Sequence, residues 1–148
     1  MRKLFAALAV GLALPAAAQS PPSWTVSSNG QGFGLVLSPK DGPALLSLAC
    51  VRGTSQILAI VYAVKPVAGR QELILRLDRR RVVFVVKPEA MKDGKMVQAT
   101  AKAGPELLAA IRTVKTIGAD YGEVRSGPYP GPPETMSRAF ASRCGPLI

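Results

Sequence analysis

Apolar residues recur along this chain at three spacings, and each spacing predicts a different kind of element. The first is unbroken. Leu4 to Leu14 is an apolar run of eleven residues behind Arg2 and Lys3, ended by Pro15 and followed by Ala16-Ala17-Ala18. A positive start, a short apolar segment and small residues in that order predict a secretory signal over residues 1–18, cleaved before Gln19. A helix of that length extends roughly 16 Å at 1.5 Å per residue, well short of a hydrocarbon core of about 30 Å. The segment therefore does not read as a membrane anchor, and no cysteine stands at the cleavage point to carry a lipid. Residues 19–23, polar and Pro-rich, read as a flexible leader. Residues 24–148 read as one disulfide-bonded domain, a size that one core serves.

The second spacing is two, from Trp24 to about Lys102. A strand begins at Trp24-Thr25-Val26 and turns through Ser27 to Gly32; the chain returns with Phe33, Leu35 and Leu37 on one face. Pro39 to Pro43 is a second turn, after which Leu46, Leu48 and Cys50 share a face. Ile57 to Val64 is the longest apolar run of the mature part and suits a buried strand. Glu72 to Leu77 and Val82 to Lys87 form a hairpin joined at Asp78 to Arg81, with Leu73, Leu75 and Leu77 inward and Ile74 and Arg76 outward. Pro88 to Lys95 reads as a loop, and Met96 to Lys102 as a seventh short strand.

The third spacing is helical. Gly104-Pro105-Glu106 opens a helix with proline in its first turn and an acid beside it. Leu107, Leu108, Ile111, Val114 and Ile117 form its apolar stripe, and Gly118 is the expected stop. Asp120 to Arg125 reads as extended. The four prolines between Ser126 and Pro133 predict an irregular, polyproline-like path. Glu134 to Cys144 predicts a last helix with Met136, Phe140 and Cys144 on one face. The fold class is therefore α+β: a mainly antiparallel curved sheet or β-sandwich of about seven short strands, with an amphipathic helix and a C-terminal helix.

Cysteine count and charge add to this picture. An even pair of cysteines behind a secretory signal predicts a Cys50–Cys144 disulfide. Removing Arg2 and Lys3 lowers the basic count from 19 to 17 against 9 acidic residues, a net charge of +8. Such a balance predicts attraction to anionic surfaces: lipid head groups, lipopolysaccharide, acidic glycans or an acidic partner protein. Export argues against nucleic acid as the partner, and no membrane span is expected after cleavage. The chain has no histidine, which removes the commonest general base and metal ligand. Bridged cysteines remove thiolate chemistry. No G-x-S-x-G, S-x-x-K or phosphate-cradling glycine loop is present. The expectation is a periplasmic or secreted, non-enzymatic binding or accessory protein without cofactor or metal. The alternatives are an inhibitor or sensor of an exported hydrolase and, further off, a small cell-wall or glycan hydrolase with an assembled carboxylate pair.

Two surfaces are candidates for binding. Arg70, Arg76, Arg79, Arg80 and Arg81 are expected to gather at one end of a β-ribbon as an anion-binding edge. The segment carrying Tyr121, Tyr129 and Pro130 is a candidate partner loop, with exposed tyrosines among prolines offering rigid contact area.

The order of features also suggests a relationship. Trp24 opens the first strand, Leu46-Ser47-Leu48-Ala49-Cys50 ends an early one, and Arg76-Leu77-Asp78 enters a hairpin. An amphipathic helix follows from Leu107 to Arg112, and Phe140-Ala141-Ser142-Arg143-Cys144 closes the chain's last helix. This order resembles that of small exported proteobacterial accessory proteins of the VasI type, associated with type VI secretion. The resemblance implies an exported accessory role and carries over no binding residues. Where such proteins have a hydrophobic segment before the last helix, this chain has Pro128-Tyr129-Pro130-Gly131-Pro132-Pro133.

Overall fold

A computed structural model describes residues 20–30, 32–51, 53–87 and 94–145. The expected signal segment, residues 1–18, and most of the loop expected after Lys87 lie outside the described residues. Among the described residues nine strands and two helices follow in chain order. They are β1 (Ser23–Asn29), β2 (Gly32–Ser38), β3 (Leu46–Val51), β4 (Gln56–Tyr62), β5 (Glu72–Leu77), β6 (Arg80–Val86) and β7 (Met96–Lys102), then α1 (Pro105–Thr113), β8 (Thr116–Tyr121), β9 (Val124–Pro130) and α2 (Glu134–Cys144). The α+β architecture and its antiparallel curved sheet are as expected, with two strands more than the alternation alone predicts.

All nine strands join one sheet in the order β1-β2-β3-β4-β7-β6-β5-β8-β9, every pairing antiparallel. Among the described residues the β6–β7 junction is narrow: Val85↔Thr100 and Val86↔Ala99 are in register, and the Lys87 N–H donates to the Gln98 carbonyl at 2.9 Å. It divides the sheet into a panel of β1, β2, β3, β4 and β7 and a panel of β6, β5, β8 and β9. At the far side the panels meet again: the Trp24 indole N–H in β1 donates to the Pro130 carbonyl in β9 at 2.8 Å. The two ends of the sheet order thus touch, and the sheet is rolled around its interior.

Period-two alternation decides which face points inward. Phe33, Leu35, Leu37, Leu46, Leu48, Cys50, Leu73, Leu75 and Leu77 are all buried, as the sequence predicts, and belong to one continuous core. Both helices pack into that core. Leu107, Leu108 and Ile111 enter from α1, and Phe140 of α2 meets the Phe33 ring with centroids 6.2 Å apart. Cys144, one turn beyond Phe140, is bonded to Cys50 with its Cα 5.6 Å away. The last helix is therefore covalently fastened to β3.

Three expectations need correction. The first helix ends at Thr113 with Val114 as its extended cap residue, and Gly118 lies inside β8. The backbone N–H groups of Lys115 and Thr116, which a longer helix would turn inward, are instead held by the Asp78 carboxylate at 3.0 and 2.9 Å. The stretch from Ser126 to Pro130, expected to be irregular, is part of β9. Proline is tolerated there because β9 is an edge strand with one side free of ladder bonds. A register shift between Ile117 and Ala119, beside the cis Gly127–Pro128 bond, absorbs the mismatch. Finally, Ser27 and Ser28, expected in the turn, continue β1 as far as Asn29, and β2 begins at Gly32.

The disulfide closes a segment with a sequence separation of 94, a long loop in the unfolded chain. Replacing Cys50 and Cys144 together by alanine is expected to lower stability by about 2–5 kcal/mol, measured by denaturant unfolding. An unchanged midpoint would mean that α2 docks on its apolar face alone.

Candidate anion-binding surface

The five arginines singled out in the sequence do not stand in one cluster. Arg70 precedes β5, whereas Arg79 lies in the turn at the other end of that strand. A six-residue strand is about 20 Å long, so Arg70 is remote from the hairpin tip. Its guanidinium instead covers the Tyr121 ring, 5.3 Å from the centroid. Gly122, at φ +58°, leaves room for that arrangement, since a Cβ there would collide with the Arg70 guanidinium.

Arg76 is likewise committed. It points outward from β5, crosses β8 over Gly118, donates from Nε to Asp120 Oδ1 at 3.1 Å and from Nη2 to the Ser126 carbonyl at 2.9 Å. Gly118 is therefore required by packing: a Cβ there would strike the Arg76 guanidinium and stand 2.7 Å from the Ser126 oxygen. Arg76 sews β5 to β9 across β8, with Asp120 beneath it.

Arg81, opposite Arg76 on β6, and Arg125, opposite Asp120 on β9, approach the same carboxylate at 3.7 and 3.9 Å. These separations are beyond hydrogen-bond reach, and both side chains remain about two-thirds exposed, at 64% and 66%. A cleft of about 460 Å³ opens here, lined by Arg70, Arg81 and Arg125 and by Glu72, Asp120 and Glu123. Three guanidiniums line it against three carboxylates, and Arg76, which donates to Asp120, leaves the group with one net positive charge. As an anion site it is largely compensated from within.

Uncompensated charge stands at the hairpin tip. Arg79 and Arg80 are exposed, and among the described residues neither takes part in an ion pair. Lys115 lies beside them, its backbone N–H bound to Asp78. Asp78 is what fixes the tip. It adopts a left-handed φ of 55°, which aspartate tolerates better than most residues. Its backbone N–H donates to the Thr116 carbonyl at 2.9 Å, and its Oδ1 accepts from the Lys115 and Thr116 N–H groups and the Thr116 hydroxyl. The tip is thereby bolted to the α1–β8 junction. The Thr116 N–H above all holds the Asp78 carboxyl below its ordinary value. Partial burial opposes this, and the Lys115 N–H, the Thr116 hydroxyl and the Lys115 charge reinforce it.

The proposed partner loop is not a loop. Tyr121, expected to be exposed, is buried at the end of β8. Its hydroxyl accepts from the Val67 N–H at 2.8 Å and donates to the Val67 carbonyl at 3.3 Å, pinning the β4–β5 connection. Tyr129 is half-buried, with its hydroxyl 2.9 Å from that of Ser126. Pro130 carries the carbonyl that Trp24 binds. These three residues build the rolled sheet. The sequence reading missed Arg125 and Asp78 as site residues and, for Asp120, its role as the partner of the arginines. The Ile117-Ala119-Tyr121 alternation, which leaves Asp120 facing outward, was the available signal for one of them.

A carboxyl whose folded value is depressed stabilises fully above its unfolded value, near 4 for aspartate, and loses that contribution as pH falls through the folded value. Asp78→Asn keeps an acceptor oxygen and tolerates the left-handed backbone. The variant is expected to be less stable than the parent at neutral pH, with the gap narrowing below about pH 4 in melts taken across pH. A gap independent of pH would contradict the role given to the ionised carboxylate. No protein-family model, curated protein or solved structure matches this chain.

Proposed function

We propose that this protein is an exported, non-enzymatic binding domain of the cell envelope that attaches to an anionic head group through the tip of its β5–β6 hairpin. The observation that carries the reading is the pairing of Arg79 and Arg80, exposed and without ion-pair partners among the described residues, with a turn held rigidly by Asp78. A rigid tip spends little conformational entropy on binding. Arginine offers planar donor pairs suited to phosphate and carboxylate oxygens. The secretory pattern at the N-terminus, the Cys50–Cys144 disulfide and the net basic charge support an oxidising, envelope location. The feature order, which resembles that of VasI-type accessory proteins, supports an accessory role. No described helix is long and apolar enough to cross a membrane, so the attachment proposed is to a surface.

The test is binding to vesicles containing phosphatidylglycerol, compared with neutral phosphatidylcholine vesicles. A basic residue near an anionic surface contributes about 1 kcal/mol. Arg79→Ala/Arg80→Ala is therefore expected to weaken binding about 30-fold, and added salt to abolish it. Arg81→Ala/Arg125→Ala, which disturbs the self-compensated cleft, is expected to change binding far less. Equal binding to both vesicle types, or equal loss in both double variants, would overturn the assignment to the tip.

A further inference from the structure

The outer face of the roll is unlike the rest of the molecule. In β2, β3, β4 and β7 the only charged residue is Lys102, at the very end of β7. Yet the chain carries 19 basic and 9 acidic residues. The outward positions of these strands are mostly uncharged: Val36, Ala49, Leu58, Ile60 and Tyr62 are half-buried, Gln98 and Thr100 lie beside them, and Ser47 is buried with its hydroxyl 3.0 Å from that of Tyr62. The row continues over the narrow junction, because Leu58 pairs with Thr100 and Thr100 with Val85. Val85 is the most exposed large hydrophobic side chain described, at 61%. Val83 lies next to it on the same face, beside Ile74. Contiguous apolar surface of this kind marks an interaction face.

We infer that two copies of this chain associate through this face, sheet against sheet about a two-fold axis. Two observations favour a second copy as the occupant. The first is charge. Copies with a net charge of +8 once the expected signal is removed repel one another on most approaches, and on β2, β3, β4 and β7 this face carries no charge but Lys102 at its end. Its edge then carries both signs, with Glu72 directly opposite Val85, and with Arg81, Asp120 and Arg125 beyond it. A two-fold arrangement can set the arginines of one copy against the carboxylates of the other. A purely anionic partner would meet those carboxylates instead.

The second observation is area. Five adjacent strands spaced about 4.8 Å apart, each about 20 Å long, present roughly 500 Å² per copy. The total of about 1,000 Å² is at the lower limit for a specific interface. The dimer is accordingly weak, and it leaves the hairpin tip at the end of the roll rather than in the contact.

Sedimentation equilibrium of the purified chain, from about 1 μM to about 1 mM, spans the affinities expected of an interface this small. Reversible dimerisation is expected. Val85→Glu and Ile60→Glu are each expected to raise the dissociation constant at least tenfold. Val26→Glu, exposed but on the same side of the sheet as buried Leu35, is expected to leave it unchanged. Circular dichroism reports folding, and Val83→Glu replaces either variant that does not fold. A monomer throughout the range, or a dimer unmoved by two folded outward variants, would overturn the inference.

Discussion

The structure depends on one constraint: a nine-stranded antiparallel sheet must close on itself over a single core without a ladder of hydrogen bonds at the closing seam. The seam is bridged by a side chain, with the Trp24 indole N–H in β1 reaching the Pro130 carbonyl in β9. A buried indole N–H needs an acceptor, and an edge strand with prolines has a carbonyl to spare. The same contact that satisfies the tryptophan thus holds the two extremes of the sheet together. α2, packed through Phe140 and bonded through Cys144, occupies the interior end that the roll leaves open.

Electrostatics organise the second panel around two carboxylates with different tasks. Asp120 stands among Arg76, Arg81 and Arg125 and joins β5, β6, β8 and β9 on their outer face. It spends the positive charge of that corner on structure. Asp78 neutralises no arginine; it spends its oxygen on the backbone of the α1–β8 junction and leaves Arg79 and Arg80 facing solvent. Location alone therefore separates structural from available arginines within one short stretch of sequence.

The extent to which this was legible in the sequence follows from what local pattern can encode. The first seven strands and their inward residues were readable because alternation at period two is local, and Cys50 was readable as core-facing for the same reason. The C-terminal helix was readable from its spacing of four. The failures cluster between Val114 and Pro130, where long-range contacts override local preference. Leu107, Leu108, Ile111, Val114 and Ile117 fit a helical stripe, but Asp78 captures the backbone N–H groups at residues 115 and 116 and turns the chain into a strand. Gly118 looked like a helix stop and is instead the gap through which Arg76 passes. Tyr121 looked exposed because it was read as one piece with the proline-rich segment after it, and it is held inside by Val67, far away in sequence. The split of the arginines into committed and free groups depended on Asp120 and Ser126, whose proximity no local pattern shows.

The Trp24–Pro130 contact closes the sheet and so holds both of its edge strands. Amide hydrogen exchange of Trp24→Phe, which keeps an aromatic ring and removes the donor, tests it most directly. A hydrogen bond of this kind contributes about 1 kcal/mol. Faster exchange confined to β1 and β9 is expected, with protection in β3, β4, β5 and β6 retained. Unchanged exchange in β9, or acceleration spread evenly over all strands, would show that Trp24 serves only as core and that the sheet does not rely on this seam.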